Sequence, residues 1–230
     1  MHDNNSYLTL TKARAVFAVS RLRMGIDGKG VTTLVTFMGC PLHCRYCLND
    51  FCHEDIYNED GHTVRKGIRM LTPQELYDIV KQDNIYFQAT GGGICFGGGE
   101  PTLQADFIEE FAQICPANWK LTLETCLRCS HGAIKRLAPY ISEWIVDIKD
   151  MNSHIYKMYT GERSAVFQHL SNIRELVSME KVTVKVPLIP DYNTEEDVQR
   201  SISELKKMGF VRIVRVKYLK WKSTEMGYKQ

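Results

Sequence analysis

The chain has 230 residues, 44% of them hydrophobic and 24% charged, an ordinary globular composition with room for a sizeable core. The 29 basic and 27 acidic residues give a net charge of +2, so the overall charge does not favour nucleic-acid binding. No apolar run approaches the roughly 18 residues of a membrane span, and the first residues lack a signal-peptide pattern, so we expect a cytoplasmic protein without membrane contact.

Segments rich in β-branched residues alternate with amphipathic segments along most of the chain. Six strands are predicted at 31–38, 93–96, 121–125, 143–149, 182–188 and 210–218. Helices are predicted at 73–82, 131–137, 153–158 and 165–177, along the apolar face from Leu103 to Ile114, and in a segment capped by Asn193 and Glu196 and ended by Gly209. The polar, irregular residues 50–70 predict a surface loop.

Strands that alternate with helices predict a parallel sheet with right-handed crossovers. No Pro- or Ser-rich linker interrupts the chain, so we expect one domain over 1–230, with a short segment at about 1–23, a core at about 24–218 and a tail at 219–230. A run of basic residues without an acid extends from Lys206 to Lys222. It predicts either an edge strand protected by its charges or a docking face for an acidic partner.

Three cysteines, Cys40, Cys44 and Cys47, follow the first predicted strand with the spacing C-x3-C-x2-C. Three thiolates on one short loop can hold three irons of a four-iron cluster and leave the fourth iron open, whereas a cluster that only carries electrons normally has four cysteines. Three unrelated buried thiols or a structural zinc site are the alternatives. Zinc sites usually pair C-x2-C with a distant second pair, so the spacing favours the cluster.

Together with Tyr46, which directly precedes the third cysteine, this loop resembles the signature of the radical S-adenosylmethionine (SAM) superfamily. A second motif, Ile94 to Gln104 with Gly97-Gly98-Gly99-Glu100-Pro101 at its centre, resembles the turn with which that family binds the amino group of SAM. The resemblance implies a partial, six-stranded parallel (βα)6 barrel of α/β class. It also implies a 4Fe-4S cluster on the three cysteines and a SAM site that includes the residues Tyr46, Gly97, Gly98, Gly99 and Glu100.

Three further segments are similar to glycyl radical enzyme activating enzymes of the pyruvate formate-lyase type: the turn 27–30, Leu123-Glu124-Thr125 and Val146-Asp147-Ile148-Lys149. The similarity implies that Lys149 pairs with the SAM carboxylate. It implies that Glu124 and Asp147 shape the SAM site, together with a monovalent cation. The alternative for Asp147 and Lys149 is an ordinary salt bridge at a strand end. The cysteines, the glycine turn, Glu124, Asp147 and Lys149 all lie at the C-terminal ends of predicted strands, where α/β barrels place their chemistry.

The implied reaction begins with an electron from a flavodoxin- or ferredoxin-type donor. SAM is then cleaved to a 5′-deoxyadenosyl radical, which takes a hydrogen atom from a glycine of a partner glycyl radical enzyme. Three features depart from the family: Lys29 stands where the turn 27–30 usually has proline, Cys126-Leu127 stands where Asn-Gly is common, and no histidine follows the last strand. Modification of a small molecule or peptide, as in 7-carboxy-7-deazaguanine synthases, therefore stays open. So does a non-enzymatic iron–sulfur or zinc-binding module.

The remaining cysteines and the histidines have less specific patterns. Cys52, Cys95, Cys126 and Cys129 are enough on paper for a second cluster, but the cysteine-rich insert of activating enzymes with extra clusters is missing, and cysteine is often simply buried. The histidines at 43, 53, 131 and 169 are scattered and are interpreted as structural.

Overall fold

The computed structural model describes residues 13–25 and 27–218. Their strands are Arg14–Met24 (β1), Val31–Phe37 (β2), Arg69–Leu71 (β3), Gly93–Gly98 (β4), Lys120–Thr125 (β5), Glu143–Asp147 (β6), Val182–Leu188 (β7) and Arg212–Lys217 (β8). Their α-helices are Pro73–Val80 (α1), Asn84–Thr90 (α2), Ala105–Ile114 (α3), His131–Leu137 (α4), Ser153–Thr160 (α5), Val166–Leu176 (α6) and Glu195–Lys207 (α7). Among the described residues, no helix is long and apolar enough to cross a membrane.

The strands form one mixed sheet in the order β3-β1-β2-β4-β5-β6-β7-β8. From β2 to β8 each neighbouring pair is parallel, and these six strands are the six that the sequence predicts. This is the parallel α/β sheet expected of a partial barrel. Because parallel strands share a direction, the loops that follow them gather at one end of the sheet.

Two strands and one helix were not predicted. The apolar segment near the start of the chain is β1, which pairs antiparallel with β2 and carries irregularities that break its alternation. The predicted loop 50–70 runs into β3, whose three residues are too few to give a periodic signal. Helix α2 reads NIYFQAT, and its β-branched and aromatic residues disfavour a helix prediction.

The elements also differ from the prediction at two boundaries. Strand β6 ends at Asp147, so Lys149 lies beyond it. Helix α7 has Thr194 as its N-cap and Asp197 as the partner in a capping box, one residue later than the predicted pair. Asn193 instead accepts a hydrogen bond from the backbone N–H of Ile189, at 2.6 Å. The predicted tail 219–230 lies outside the described residues, and so do residues 1–12 of the predicted segment 1–23.

The two faces of the sheet differ in polarity. The helix-covered face buries large apolar side chains, among them Phe96, Leu123 and Trp144. Because strand residues alternate between faces, Glu124 and Lys185 point to the opposite, inner face. Their ion pair, at 2.5 Å, joins β5 to β7 across that face. The inner face is thus polar and charged close to the ends of the strands.

The turn 27–30 closes the end of the sheet opposite to the cysteines. A Cβ atom at Gly28 would lie 2.8 Å from the hydroxyl oxygen of Thr122, and one at Gly30 would lie 2.6 Å from the carbonyl oxygen of Thr90. Both glycines also have positive φ angles, 116° and 71°. Packing and backbone conformation therefore account for this turn without a ligand.

Candidate active site

The cysteine loop, residues 39–47, begins two residues after β2 and is fixed on both sides. The backbone N–H of Gly39 donates to the carbonyl oxygen of Cys52 at 2.8 Å. On the other side, the N–H groups of His43 and Arg45 donate to the carbonyl oxygens of Thr160 and Tyr159, at the end of α5. Tertiary hydrogen bonds thus hold a loop that has no regular secondary structure.

The three predicted ligands are half-buried on this loop. Burial raises the pKa of the Cys44 thiol to about 12 and also raises the pKa of Cys47. A hydrogen bond with Cys126 lowers the pKa of Cys40. No three His, Cys, Asp or Glu side chains within 13–25 and 27–218 converge enough to hold a single metal ion. In a four-iron cluster each cysteine binds a different iron, so the three cysteine sulfurs are not expected to converge on one point.

The glycine turn packs directly against the cysteine loop. Gly99 donates its N–H to the carbonyl oxygen of Phe37 at 2.9 Å, and Glu100 donates its N–H to that of Gly39 at 2.8 Å. A Cβ atom at Gly98 would lie 2.6 Å from Cβ of Thr36, and one at Gly99 would lie 2.2 Å from the carbonyl oxygen of Gly39. Gly98 and Gly99 must therefore be glycine, because a side chain at either position would collide with neighbouring protein atoms.

Gly97 is different, because a Cβ atom there would make only ordinary contacts, the nearest at 3.5 Å with Leu34. Its next neighbour is Cβ of Glu124, at 3.7 Å, on the inner face. Gly97 is itself buried, and the space that a side chain would take there lies on the inner face, between Leu34 and Glu124.

The Glu100 carboxylate is 1% exposed and is surrounded by protein donors. One oxygen accepts from the backbone N–H and hydroxyl of Thr102, at 3.1 and 2.5 Å, and from the hydroxyl of Thr125, at 2.6 Å. The other accepts from the backbone N–H of Cys126 at 2.8 Å and from its thiol at 2.9 Å. The side chain ties the glycine turn to the end of β5.

Asp147 and Lys149 meet although they do not share a strand. Lys149 lies two residues past the end of β6 with a φ of 62°, a left-handed conformation that is uncommon for lysine. Its ammonium donates to Oδ2 of Asp147 at 2.8 Å and to the hydroxyl oxygen of Tyr218 at 3.1 Å. The Tyr218 hydroxyl in turn donates to the same Asp147 oxygen. The predicted strand 143–149 was therefore two residues too long, but the two side chains do converge.

The side chains of Asp147 and Lys149 are largely buried, and both remain charged. Burial opposes both ions, yet the Lys149 ammonium and its hydrogen bond hold the pKa of Asp147 below its usual value. In the same way, Asp147 outweighs burial and raises the pKa of Lys149 well above its usual value. The other oxygen of Asp147, Oδ1, is buried and has no hydrogen-bond partner among the described residues. A buried, unsatisfied carboxylate oxygen is a position for a ligand ammonium or a cation.

Tyr46 connects the cysteine loop to the loop after β7. Its hydroxyl donates to Asp191 at 2.9 Å, and its ring lies against the rings of Tyr159 and Tyr192, with centroids 6.2 and 5.8 Å away. Tyr159 also contacts Tyr218, at 6.2 Å. A tyrosine cluster thus links the predicted cluster ligands to the Asp147–Lys149 pair.

The other cysteines occupy separate environments. Cys95 is fully buried on β4, Cys52 is buried below the cysteine loop and Cys129 lines a cavity beside Pro41. Cys126 makes a hydrogen bond with a predicted ligand, Cys40. Leu127, where Asn-Gly was expected to provide a glycine, has a φ of 58°, which is the left-handed conformation that glycine favours.

Sequence reasoning missed two residues of this site. Lys185 had a usable signal, because it is the one charge in the strand VTVKVPL and alternation places it on the same face as Glu124. Tyr218 had no such signal. It follows β8 and contacts β6 across the intervening β7, and it is 71 residues from Asp147 in the sequence.

Comparison with known proteins gives the family. The sequence profile of the Radical SAM superfamily matches residues 34–213, well over half of the chain. The chain therefore belongs to the Radical SAM superfamily of enzymes. Membership implies a 4Fe-4S cluster and SAM.

Two curated relatives are named as activating enzymes. The chain is 25% identical to the choline trimethylamine-lyase activating enzyme of Oleidesulfovibrio alaskensis, over 82% of this chain and 76% of that protein. It is 27% identical to the pyruvate formate-lyase-activating enzyme of Clostridium pasteurianum, over 79% of this chain and 72% of that protein.

A solved structure confirms the fold. Streptococcus suis SuiB bound to S-adenosylmethionine superposes with a TM-score of 0.58 over 81% of this chain, at 15% identity. The matched region covers 40% of the SuiB chain. At this identity the likeness concerns the fold alone.

The residues present fit the implied groups. Three thiols lie together on one loop, which packs against the glycine turn. The Asp147–Lys149 pair offers an unsatisfied carboxylate oxygen and an ammonium. These are complementary to the ammonium and carboxylate groups of an amino acid, which SAM carries.

Proposed function

We propose that this protein cleaves SAM reductively and uses the 5′-deoxyadenosyl radical to take a hydrogen atom from a glycine of a partner glycyl radical enzyme. The observation that supports this most directly is the meeting of the cysteine loop, the glycine turn and the Asp147–Lys149 pair at one end of the parallel strands. The relatives named as activating enzymes support a protein partner.

Each part of the site then has a role. Cys40, Cys44 and Cys47 hold the 4Fe-4S cluster, which when bound supplies the electron that breaks the carbon–sulfur bond of SAM. The backbone of Gly97 accepts hydrogen bonds from the SAM ammonium. Lys149 pairs with the SAM carboxylate, and the free oxygen of Asp147 faces the ammonium or a monovalent cation.

Other predicted residues act on the shape of the site. Gly98 and Gly99 allow the turn to touch the cysteine loop, and Glu100 fixes the turn to β5. Glu124, paired with Lys185, borders the inner face beside Gly97. Tyr46 holds the cysteine loop against Asp191.

We further propose that the electron donor is an acidic protein of flavodoxin or ferredoxin type, which docks beside the cysteine loop. A cavity of about 590 Å³ there is lined by Pro41, Arg128, Arg163 and His169, and none of its described lining residues is acidic. Arg163 is exposed and has no acidic partner among the described residues. Arg163→Glu should slow cluster reduction by flavodoxin but not by dithionite. Lys206→Glu on α7 is the control, and equal slowing by it would contradict this docking site.

The central experiment measures 5′-deoxyadenosine from anaerobically reconstituted, dithionite-reduced protein given SAM. We expect product from the wild type and from Cys115→Ala, whose cysteine follows α3 away from the site. We expect neither cluster nor product from Cys40→Ala, Cys44→Ala or Cys47→Ala. Cluster and SAM cleavage retained in any of these three would refute the assignment.

The substrate needs a separate measurement. The activated protein is mixed with a candidate glycyl radical enzyme, and the glycyl radical is sought by electron paramagnetic resonance. A radical on that enzyme supports the activating role. SAM cleavage that is stimulated by a small molecule or peptide, and by no glycyl radical enzyme, would replace it with the alternative that the sequence left open.

A further inference from the structure

Tyr218 contacts both members of the Asp147–Lys149 pair although it follows β8, which lies two strands away from β6 in the sheet. It is half-buried, and its hydroxyl accepts from the Lys149 ammonium at 3.1 Å while donating to Oδ2 of Asp147. Its backbone N–H donates to the carbonyl oxygen of Leu188 at 2.9 Å, and its ring contacts Tyr159. The main chain and the ring thus fix the position of the hydroxyl.

Among residues 13–25 and 27–218, the hydrogen bonds of the three groups leave one donor and one acceptor unused. A lysine ammonium has three N–H donors, of which Lys149 uses one on Asp147 and one on Tyr218. Asp147 receives both of its hydrogen bonds on Oδ2, and Oδ1 is buried without a partner. The cluster therefore presents one free N–H and one free carboxylate oxygen.

The hydroxyl of Tyr218 explains why the pair stays in this arrangement. An ammonium beside a lone carboxylate is free to swing between its two oxygens. Here a second donor occupies Oδ2, and the phenol oxygen accepts a second N–H of Lys149, so the ammonium is held on the Oδ2 side. The centroid of the Tyr218 ring also lies 5.5 Å from the Lys149 ammonium, and this cation–π contact favours the same position.

We propose that Tyr218 is a positioning residue for SAM: its hydroxyl holds Lys149 so that the third N–H points to the SAM carboxylate and Oδ1 of Asp147 stays free. This inference rests on the proposed function. It assigns Tyr218 no contact with the reacting atoms, and its role is exerted through Lys149 and Asp147.

The test compares Tyr218→Phe with wild type, because phenylalanine keeps the ring contacts and removes only the hydroxyl. The ligands are SAM and decarboxylated SAM, which lacks the carboxylate. We expect Tyr218→Phe to weaken SAM binding by about tenfold, the scale of one hydrogen bond to a charged group, with cluster content unchanged. Binding of decarboxylated SAM should be the same in both proteins.

Tyr192→Phe is the matched control. Tyr192 belongs to the same tyrosine cluster, but its hydroxyl has no hydrogen-bond partner among the described residues. The Tyr192→Phe protein should bind SAM and decarboxylated SAM as the wild type does. Equal weakening of both ligands by Tyr218→Phe would show a general structural effect and overturn the inference, as would unchanged SAM binding.

A second variant pair tests the route through Lys149. In a Lys149→Met background, Tyr218→Phe should have no further effect on SAM affinity, because the group that it positions is gone. A further tenfold loss there would contradict the proposal. If the wild type itself, with a full cluster, neither bound nor cleaved SAM, the proposed function would fail first, which distinguishes that result from failure of the Tyr218 role alone.

Discussion

Gly99 and Gly39 touch backbone to backbone: a Cβ atom at Gly99 would lie 2.2 Å from the carbonyl oxygen of Gly39. The same carbonyl accepts the N–H of the next residue, Glu100, at 2.8 Å. Two motifs that are about fifty residues apart in the sequence are therefore one structural unit. A change in the glycine turn must be transmitted to the loop that carries the three cysteines.

This contact separates the effects of two neighbouring glycines. Gly99→Ala should displace Gly39 and thereby lower the iron content of the reconstituted protein, since the neighbouring backbone cannot yield as a side chain would. Gly97→Ala adds a methyl group at ordinary contact distance from Leu34 and Glu124 and should retain its iron, but this group projects onto the inner face, where we propose that SAM binds, and should weaken SAM binding by about tenfold or more. Iron analysis and SAM titration measure the two effects.

The opposite pattern would count against this assignment. If Gly97→Ala lost iron while Gly99→Ala kept it, the turn would not support the cysteine loop in the way the structure indicates. Full SAM affinity in Gly97→Ala would show that the ligand does not approach the turn at this residue.

The stability of the turn should depend on Glu100 more than on Glu124. Replacing Glu100 with Ala leaves buried donors of Thr102, Thr125 and Cys126 without an acceptor, and we expect a loss of roughly 3 kcal/mol in the free energy of unfolding. Glu124→Ala removes a partly exposed ion pair with Lys185 and should cost under about 1 kcal/mol. Urea unfolding of the apoproteins checks both values, and equal losses would contradict the structural role of Glu100.

The parallel core was predictable because its signals are local. Each of the six strands is a short β-branched run, and the helix starts carry capping residues such as Thr72 with Glu75. The cysteine loop and glycine turn were visible because their chemistry depends on spacing within one stretch. Strand β1 escaped because its arginines, including Arg21 and Arg23, interrupt the apolar pattern and are satisfied by tertiary ion pairs with Asp83 and Asp27.

The site was predictable only in part, for the same reason. Cys40, Cys44, Cys47 and Lys149 stand in recognisable motifs, whereas Tyr218 joins the site through a contact across the sheet that no local pattern encodes. The resemblance assigns all three glycines to the SAM site, and that assignment stays a prediction, but it gave no sign that packing also requires two of them. Gly98 and Gly99 are required by packing against Thr36 and Gly39, whereas a Cβ atom at Gly97 would make only ordinary contacts.

The buried pair predicts a change in pH dependence when Lys149 is removed. In the wild type the pKa of Asp147 is below its ordinary 3.8, so its contribution to stability is lost only as the pH falls through that lowered value. The pKa of Lys149 lies well above its ordinary 10.5, so its contribution is lost only as the pH rises through that raised value. The pair should therefore give no pH dependence between about pH 5 and pH 9.

In Lys149→Met the burial of Asp147 is no longer offset by the ammonium, and its pKa should rise above the ordinary value. Tyr218 and Lys185 still favour the ionised form and limit this rise. A raised carboxyl pKa means that the folded state binds more protons than the unfolded state, so stability should fall as the pH rises. We expect a loss of about 3 kcal/mol at pH 8 that becomes smaller at pH 5.

The double variant Asp147→Asn, Lys149→Met is the control, because it removes the buried charge together with its partner. Its free energy of unfolding should vary little between pH 5 and pH 8 and should exceed that of Lys149→Met at pH 8. Urea unfolding of the three apoproteins at both pH values measures this. A Lys149→Met protein as stable at pH 8 as at pH 5 would mean that Asp147 is solvated or otherwise compensated, and the buried ion pair would not hold the end of β6 as described.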